Sequence, residues 1–446
     1  MSMDIQEIRE IIEAHGLRTI ILVGTDNCGV QRGKRVTVPF FLKSAVAGVN
    51  FASYILYTTM MDEVLPGLFD TGIPDVRGAP DLSTFRIAPW EPATGVVMMD
   101  WTLPDGSPHP LCVRTELKRQ VARLAPLGLG ELMSLELEFY LLPYSVHEIR
   151  GGRWSNHAPA SKDVHCYSPY EGSFFEPLIA ELRECFPEEI EGCSPEWGQG
   201  QIEINLYRSG ALAMCDTAAL FKTAVKQLAI KHGLTATFMA KWHEDHSGSS
   251  GHIHQSLRRL GTSASAFYDA ARPHRMSEIA SAYVAGQLAV LRPSALFFAP
   301  VVNSYKRFQP ESFAGSLATW AIDNRTTSLR WINASAGATR LENRVGGADL
   351  NPYVAFAACL GSGLRGIERK LELEAPSEGN TYHRSDVEAM PRTLDEAIVA
   401  ARDCAVLREV LAPPIIDNLL RIAAFETETV RNKVTDVERR RYLEMA

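Results

Sequence analysis

Apolar residues at Ile5, Ile8, Ile11 and Ile12 recur at helical spacing and predict an amphipathic helix at the start of the chain. Strand-like runs follow over 19–29 and 34–41, with Asp-Asn and Gly turn signals between them. Proline and glycine then thicken over 66–110, with a short β segment at 95–100, and the pattern changes near residue 108. Beyond it Val113, Leu117, Val121 and Leu124 share one side of a helix closed by Gly128. A strand over 133–143 and helices at about 174–186, 216–233, 277–297, 351–373, 394–410 and 415–443 complete the pattern. These elements predict an α+β protein: a small β-rich domain over 1–108 and a catalytic domain over 109–446, its sheet backed by helices.

Four of the short strands carry polar faces. In Ser134-Leu135-Glu136-Leu137-Glu138-Phe139 the two-residue period sets Glu136 and Glu138 on one face, about 7 Å apart along the strand. Taken alone, this is an ordinary solvated face. The arrangement recurs in 199–205, where Gln201, Glu203 and Asn205 oppose Ile202 and Ile204, with Glu196 just upstream. It recurs again in 251–257, where His252, His254 and Ser256 point one way, and in 340–344, which groups Arg340, Glu342 and Arg344. Four such strands in one chain point to a single cavity lined by all of them.

The composition excludes several classes. With 446 residues, 53 acidic against 45 basic side chains, a net charge of −8 and 46% hydrophobic residues, the chain is a globular protein with ample core. An acidic balance gives no footprint for nucleic acid or anionic membrane. The longest apolar candidate, 280–302, is broken by Arg292 and Pro293, and the N-terminus lacks a signal-peptide pattern, so a cytoplasmic location is expected. The 8 cysteines are scattered without a C-x-x-C pair and read as reduced packing residues.

Five carboxylates in one cavity, Glu136, Glu138, Glu196, Glu203 and Glu342, cannot all stay ionised without counter-cations. Carboxylates with one imidazole suit Mg²⁺ or Mn²⁺, two or more per site, whereas zinc prefers more His or Cys. Arg307, Arg325, Arg330, Arg340 and Arg344 supply guanidinium forks that match carboxylate and phosphate oxygens. Metals held by carboxylates beside an arginine cluster suit phosphoryl transfer, and no P-loop motif is present.

The order of motifs from about 130 to 360 resembles the glutamine synthetase family: E-L-E, E-W-G-Q-G-Q-I-E, G-H-I-H-Q-S-L, N-S-Y-K-R, N-R-T-T-S-L-R and R-L-E-N-R-V-G-G-A-D-L-N-P-Y. The first hundred residues resemble that family's small β-grasp domain. The resemblance implies one metal on Glu138, Glu196 and Glu203 and another on Glu136, His252 and Glu342. It implies that Arg307, Arg325 and Arg344 serve glutamate and the transferred phosphoryl group, with Gly248 in the glutamate-binding turn. Arg330 and Arg340 would hold ATP phosphates, while Glu191, His254 and Ser256 would contact the nucleotide. The implied reaction phosphorylates the γ-carboxylate of L-glutamate with ATP, and an amine nitrogen then attacks the acyl phosphate. The implied assembly is a ring of identical subunits, often a stacked dodecamer, with active sites between neighbours.

Departures from the family pattern bear on the amine. The aspartate that helps bind ammonium falls at Asn50, and the glutamate that closes over the ammonium site falls near Phe313, with Glu311 close by. Ser247 replaces the asparagine of the glutamate-binding turn. Loss of carboxylates weakens an ammonium site, whereas an organic amine regains about 25 cal/mol for each Å² of apolar surface buried. Phe51, Tyr54, Tyr57, Phe308 and Phe313 could supply that surface. The chain therefore resembles the γ-glutamyl-amine ligase branch, with a monoamine or aromatic amine expected. Ordinary glutamine synthetase, a catalytically silent family member and a two-metal hydrolase are the competing readings. Tyr382 stands roughly where some bacterial relatives are regulated by nucleotidylation, although its flanking residues differ.

Overall fold

The computed structural model describes residues 3–152, 161 and 165–446. Its strands, in chain order, are β1 (Thr19–Thr25), β2 (Gln31–Thr37), β3 (Val49–Ala52), β4 (Asp75–Pro80), β5 (Arg86–Ile87), β6 (Thr94–Thr102), β7 (Leu129–Leu142), β8 (Ile190–Pro195), β9 (Gln201–Leu206), β10 (Thr235–Thr237), β11 (Gly251–Arg259), β12 (Trp320–Ile322), β13 (Leu329–Ile332) and β14 (Arg340–Asn343). Among the described residues they form two sheets. The smaller runs β2-β1-β6-β4-β3, with β5 beside β6, and the larger runs β12-β13-β14-β11-β7-β9-β8, with β10 beside β7.

The central strands of the smaller sheet, β1 and β6, are buried on both faces. Ile20, Leu22, Val97, Met99 and Trp101 pack under Ile8 and Ile12 of the N-terminal helix. Val23, Val96 and Met98 join the core of the rest of the chain. The large sheet is antiparallel except for the β12–β13 pair, which is parallel. Met133, Leu135, Leu137 and Phe139 of β7 and Ile202 and Ile204 of β9 face the helices Val113–Ala122, Ala211–Lys231 and Pro352–Arg369. That burial leaves the alternate, polar face of each strand for the cavity.

A salt-bridge hub ties the two parts together. Arg114, 2% exposed, donates to Asp81 at 2.9 Å and Asp100 at 3.0 Å beside the small sheet, and to Asp216 at 2.9 and 2.8 Å in the helix Ala211–Lys231. Tyr353 adds a 2.6 Å hydrogen bond to Asp216. Asn351 caps the helix Pro352–Arg369 and donates to the carbonyls of Asp26 and Asn27, at 3.0 and 3.2 Å.

Several elements differ from the sequence expectation. The run 34–41 is a strand only to Thr37; Thr37 then caps a short helix, Val38–Lys43, whose first turn accepts Pro39 because no N–H is needed there. The expected helix over 277–297 is split into Glu278–Leu288 and Ala295–Phe298, since Pro293 removes a donor and restricts Arg292. The helix expected over 394–410 is interrupted at Cys404, whose backbone is extended. The one expected over 415–443 gives way to a new start capped by Thr435. No helix of the described residues is long and apolar enough to cross a membrane.

Candidate active site

Strand register builds the site. Glu136 of β7 lies opposite Asn205 of β9 on one side and His252 of β11 on the other. One step along, Glu138 faces Glu203. His254 pairs with Glu342 of β14, which pairs with Arg330 of β13. Neighbouring strands bring directly opposed Cβ atoms to about 5 Å, so period-2 alternation on four separate strands becomes one polar floor.

This floor lines a cavity of about 1500 Å³. The cavity takes in Glu136, Glu138, Glu191, Glu196, Glu203, Gly248, His252, His254, Ser256, Glu311, Phe313, Arg325, Arg330, Arg340, Glu342 and Arg344. Antiparallel pairing of β7 and β11 gives it two ends. Ser256, Leu257 and Leu132 lie at one, beside the 336–339 loop, and Glu138, Ser250, Gly248 and the 310–313 loop lie at the other.

Arg307 and Asn50 do not line it, and of the expected apolar surface only Phe313 does, Phe51, Tyr54, Tyr57 and Phe308 lying outside it. Arg307 is 2% exposed and sits in the wall, donating to the carbonyls of Arg344, Val345 and Gly346 at 2.9, 3.4 and 2.6 Å. It packs so closely under Gly248 that a Cβ there would lie 2.6 Å from the Arg307 Cγ and 2.8 Å from the Ala240 carbonyl oxygen. In this conformation the Arg307 guanidinium is turned to backbone rather than to the cavity. Asn50 lies on the exposed edge of the small sheet, away from this chain's cavity, and donates to Asp75 Oδ2 at 3.1 Å. The neutral amide at position 50 thus carries a carboxylate beside it from β4, which the sequence reading missed. The signal was tertiary, since β3 and β4 pair Ala52 with Asp75.

The electrostatics are those of a site with surplus negative charge. Burial, reinforced by Glu196 and Glu136, pushes Glu138 up to about 8, although Oε2 accepts from Ser250 N at 2.8 Å and Gln201 Nε2 at 2.9 Å. Burial and then Glu136 likewise raise Glu203, and burial raises Glu196. Glu136 is the opposite case: hydrogen bonds from His252 Nδ1 at 2.8 Å and His254 Nε2 at 3.4 Å outweigh its burial and hold it well below the usual carboxylate range. Arg344 is the largest of the nearby charges that similarly outweigh the burial of Glu342. That carboxylate is bracketed by Arg344 and by Arg330, the latter at 2.8 Å. Burial lowers His252 to about 4, so its imidazole is neutral and able to act as a ligand.

The donor set fits divalent metal. Ligand atoms of Glu136, His252 and Glu342 lie within 4.8 Å of one another, as do those of Glu136, Glu138 and Glu203. The first group is the expected one. The second contains Glu136 where Glu196 was expected; Glu196 lines the cavity close by, its Oε2 accepting from Trp197 N at 3.0 Å. Hard oxygen donors with one imidazole and unbalanced buried charge match Mg²⁺ or Mn²⁺ chemistry. Gln201 belongs to this floor as a partner of Glu138 and was legible only as a member of the β9 polar face. Cys166, 3.9 Å from Glu196, and Tyr167 also line the cavity, and no sequence signal marked them.

Residues 110–442 match the glutamine synthetase catalytic domain. The chain belongs to the glutamine synthetase family. It is 36% identical to a glutamate–isopropylamine ligase from Pseudomonas sp, over 99% of this chain and 98% of that protein. It is 33% identical to a γ-glutamylethanolamide synthetase from Streptomyces coelicolor, over 99% of this chain and 96% of that one. Ligand-free GmaS has the same fold, with a TM-score of 0.86 and 26% identity over 99% of both chains. The close relatives include ligases named for organic amines, and the family's use of ATP and divalent metal agrees with the acidic and imidazole groups on the cavity floor.

Proposed function

We propose that this protein joins the γ-carboxylate of L-glutamate to an organic amine, a monoamine or aromatic amine, at the expense of ATP. The observation that carries the reading is the floor on which Glu136, Glu138, Glu203, His252 and Glu342 interleave with Arg330 and Arg344. Two or more Mg²⁺ or Mn²⁺ ions held by those carboxylates, with Glu196, would neutralise phosphate charge and orient the transferring group.

The chain's own residues divide the remaining work. At the Ser256 end, Arg330 and Arg340 hold ATP phosphates, with Glu191, His254 and Ser256 around the nucleotide. At the Gly248 end, Arg325 and Arg344 orient glutamate, and Arg307 shapes the turn from behind. A γ-carboxylate oxygen attacks the terminal phosphorus of ATP and ADP leaves. The amine lone pair then attacks the acyl carbon of γ-glutamyl phosphate, phosphate departs with the C–O bonding pair, and the amine gives up a proton. Glu311, a carboxylate of the cavity loop beside Phe313, is the group we assign to accept that proton. Arginines preorganised by Glu342 and by backbone carbonyls need little rearrangement as charge moves to the leaving oxygens.

Asn50 and Asp75 stand outside this chain's cavity, so they would face an amine only if a neighbouring copy carried them to its own; on that ground we propose a homo-oligomeric ring, a dodecamer in the family pattern, of cytoplasmic subunits. The test is phosphate release from ATP with Mg²⁺ and glutamate across ammonium, methylamine, isopropylamine, ethanolamine, putrescine and aniline, with product masses determined. Turnover of an organic amine well above ammonium is the expected result. Preference for ammonium would make the enzyme a glutamine synthetase with a rebuilt ammonium site.

A further inference from the structure

The loop between the 3-10 turn Val302–Arg307 and β12 contributes Pro310 to Phe313 to the cavity. Within it Glu311 and Phe313 adopt left-handed conformations, with φ of 62° and 56°. Bulky residues avoid that region, and they persist there only where the surroundings fix the backbone. Three bonds from outside hold the loop: Arg344 Nη2 donates to the Phe313 carbonyl at 3.2 Å and the Tyr382 hydroxyl to the Ala314 carbonyl at 3.3 Å, beside the left-handed residues, and Met390 N donates to the Ser316 carbonyl at 2.9 Å at the far end. Ser312 adds only bonds to the loop and its stem, at Gln309 and Arg307.

Tyr382 is itself firmly seated. Asn380 caps its turn, accepting from Tyr382 N at 3.1 Å. Thr381 N donates to Thr326 at 3.0 Å, and Asn324 donates to the Gly379 carbonyl at 2.7 Å. These bonds anchor the tyrosine to the segment that carries Arg325 into the cavity. The ring is half-buried, and its burial, opposed by Arg344 and Arg307, keeps the hydroxyl a neutral donor.

We propose that Tyr382 is a positioning residue for the amide-forming step: through Ala314 it holds the 309–316 loop over the Gly248 end of the cavity, so that the acyl phosphate meets the amine and not water. The proposal rests on the ligase reading above. Without the tether the left-handed residues relax, the loop opens more often, and water attacks the acyl phosphate to return glutamate and phosphate. ATP binding at the opposite, Ser256 end is untouched by this bond.

The experiment is Tyr382→Phe in the full-length protein, which keeps the ring and removes only the hydroxyl. With ATP, Mg²⁺, glutamate and the best amine of the panel, the phosphate released in excess of amide, per amide formed, is expected to rise about fivefold, the loss of one hydrogen bond. The KM for the amine should rise while the KM for ATP holds. Hydrogen–deuterium exchange of 309–316 should quicken in the variant, a readout that needs no turnover. Wild-type coupling with an unmoved amine KM, or unchanged exchange over 309–316, would overturn the proposal. Should the wild-type protein form no amide with any amine, the ligase reading fails on its own, and exchange still decides whether Tyr382 holds the loop.

Discussion

Replacing Glu138 by glutamine should make the metal-free protein more stable and deprive it of stabilisation by metal. Glu138 is 7% exposed, and its Oε2 accepts from both Gln201 and Ser250. A glutamine oxygen can keep both bonds, so the substitution removes charge and little else. The carboxyl has a pKa of 4.5 in the ordinary state and about 8 in the fold. A folded pKa raised above the unfolded one gives stability that is complete below 4.5 and lost as pH rises towards 8. At about pH 7.5 that loss is at most about 4 kcal/mol, from three pH units at roughly 1.4 kcal/mol each. In EDTA the Glu138→Gln variant should therefore unfold at higher urea than wild type near neutral pH, with the gap closing towards pH 4.5. Saturating Mg²⁺ or Mn²⁺ should close most of that gap, because ligand at about a hundred times its Kd adds roughly 2.7 kcal/mol to a protein that binds it. Urea midpoints at fixed protein concentration, with and without metal, read both effects. The reasoning is refuted if the variant is the weaker protein in EDTA at every pH, or if metal stabilises both proteins equally.

Arg344→Ala should abolish phosphate release, because it deprives buried Glu342 of one of its two arginine partners and frees the Phe313 carbonyl; activity within tenfold of wild type would count against the assignment. Arg114→Met should cost about 3–5 kcal/mol in urea unfolding, since it leaves Asp81, Asp100 and Asp216 without their shared cation. Burial opposes ionisation of Asp81, but Ser83 and Arg114 outweigh it and bring its pKa from 3.8 down to about 2. Wild type should accordingly lose roughly 2 kcal/mol from this carboxylate as pH falls from about 4 to 2, and Arg114→Met should lose less. Asn50→Asp should lower the KM for ammonium relative to the organic amine, measured in the same amine panel; an unmoved ratio would show that position 50 does not face the amine.

The local chemistry of the site was legible in the sequence because a β-strand alternates sides at every residue. Leu135, Leu137, Ile202, Ile204 and Ile253 had to face the core, so Glu136, Glu138, Glu203, His252 and His254 had to face away from it, whatever the strand order. The motif order supplied the family on the same residues. Element ends were less legible where a tertiary partner or a proline decided them, as at Thr37 with Pro39 and at Pro293. Which carboxylates cluster was not legible at all. Register across β9, β7, β11 and β14 set Glu136 within both potential metal groups and left Glu196 at their edge, and no property of one strand contains that information. The same holds for the burial of Arg307 against backbone, for Asp75 beside Asn50, and for the Arg114 hub joining residues 81, 100 and 216. Periodicity specifies the face a side chain takes, whereas distance, desolvation and the pairing of charges arise only when separate strands are laid side by side.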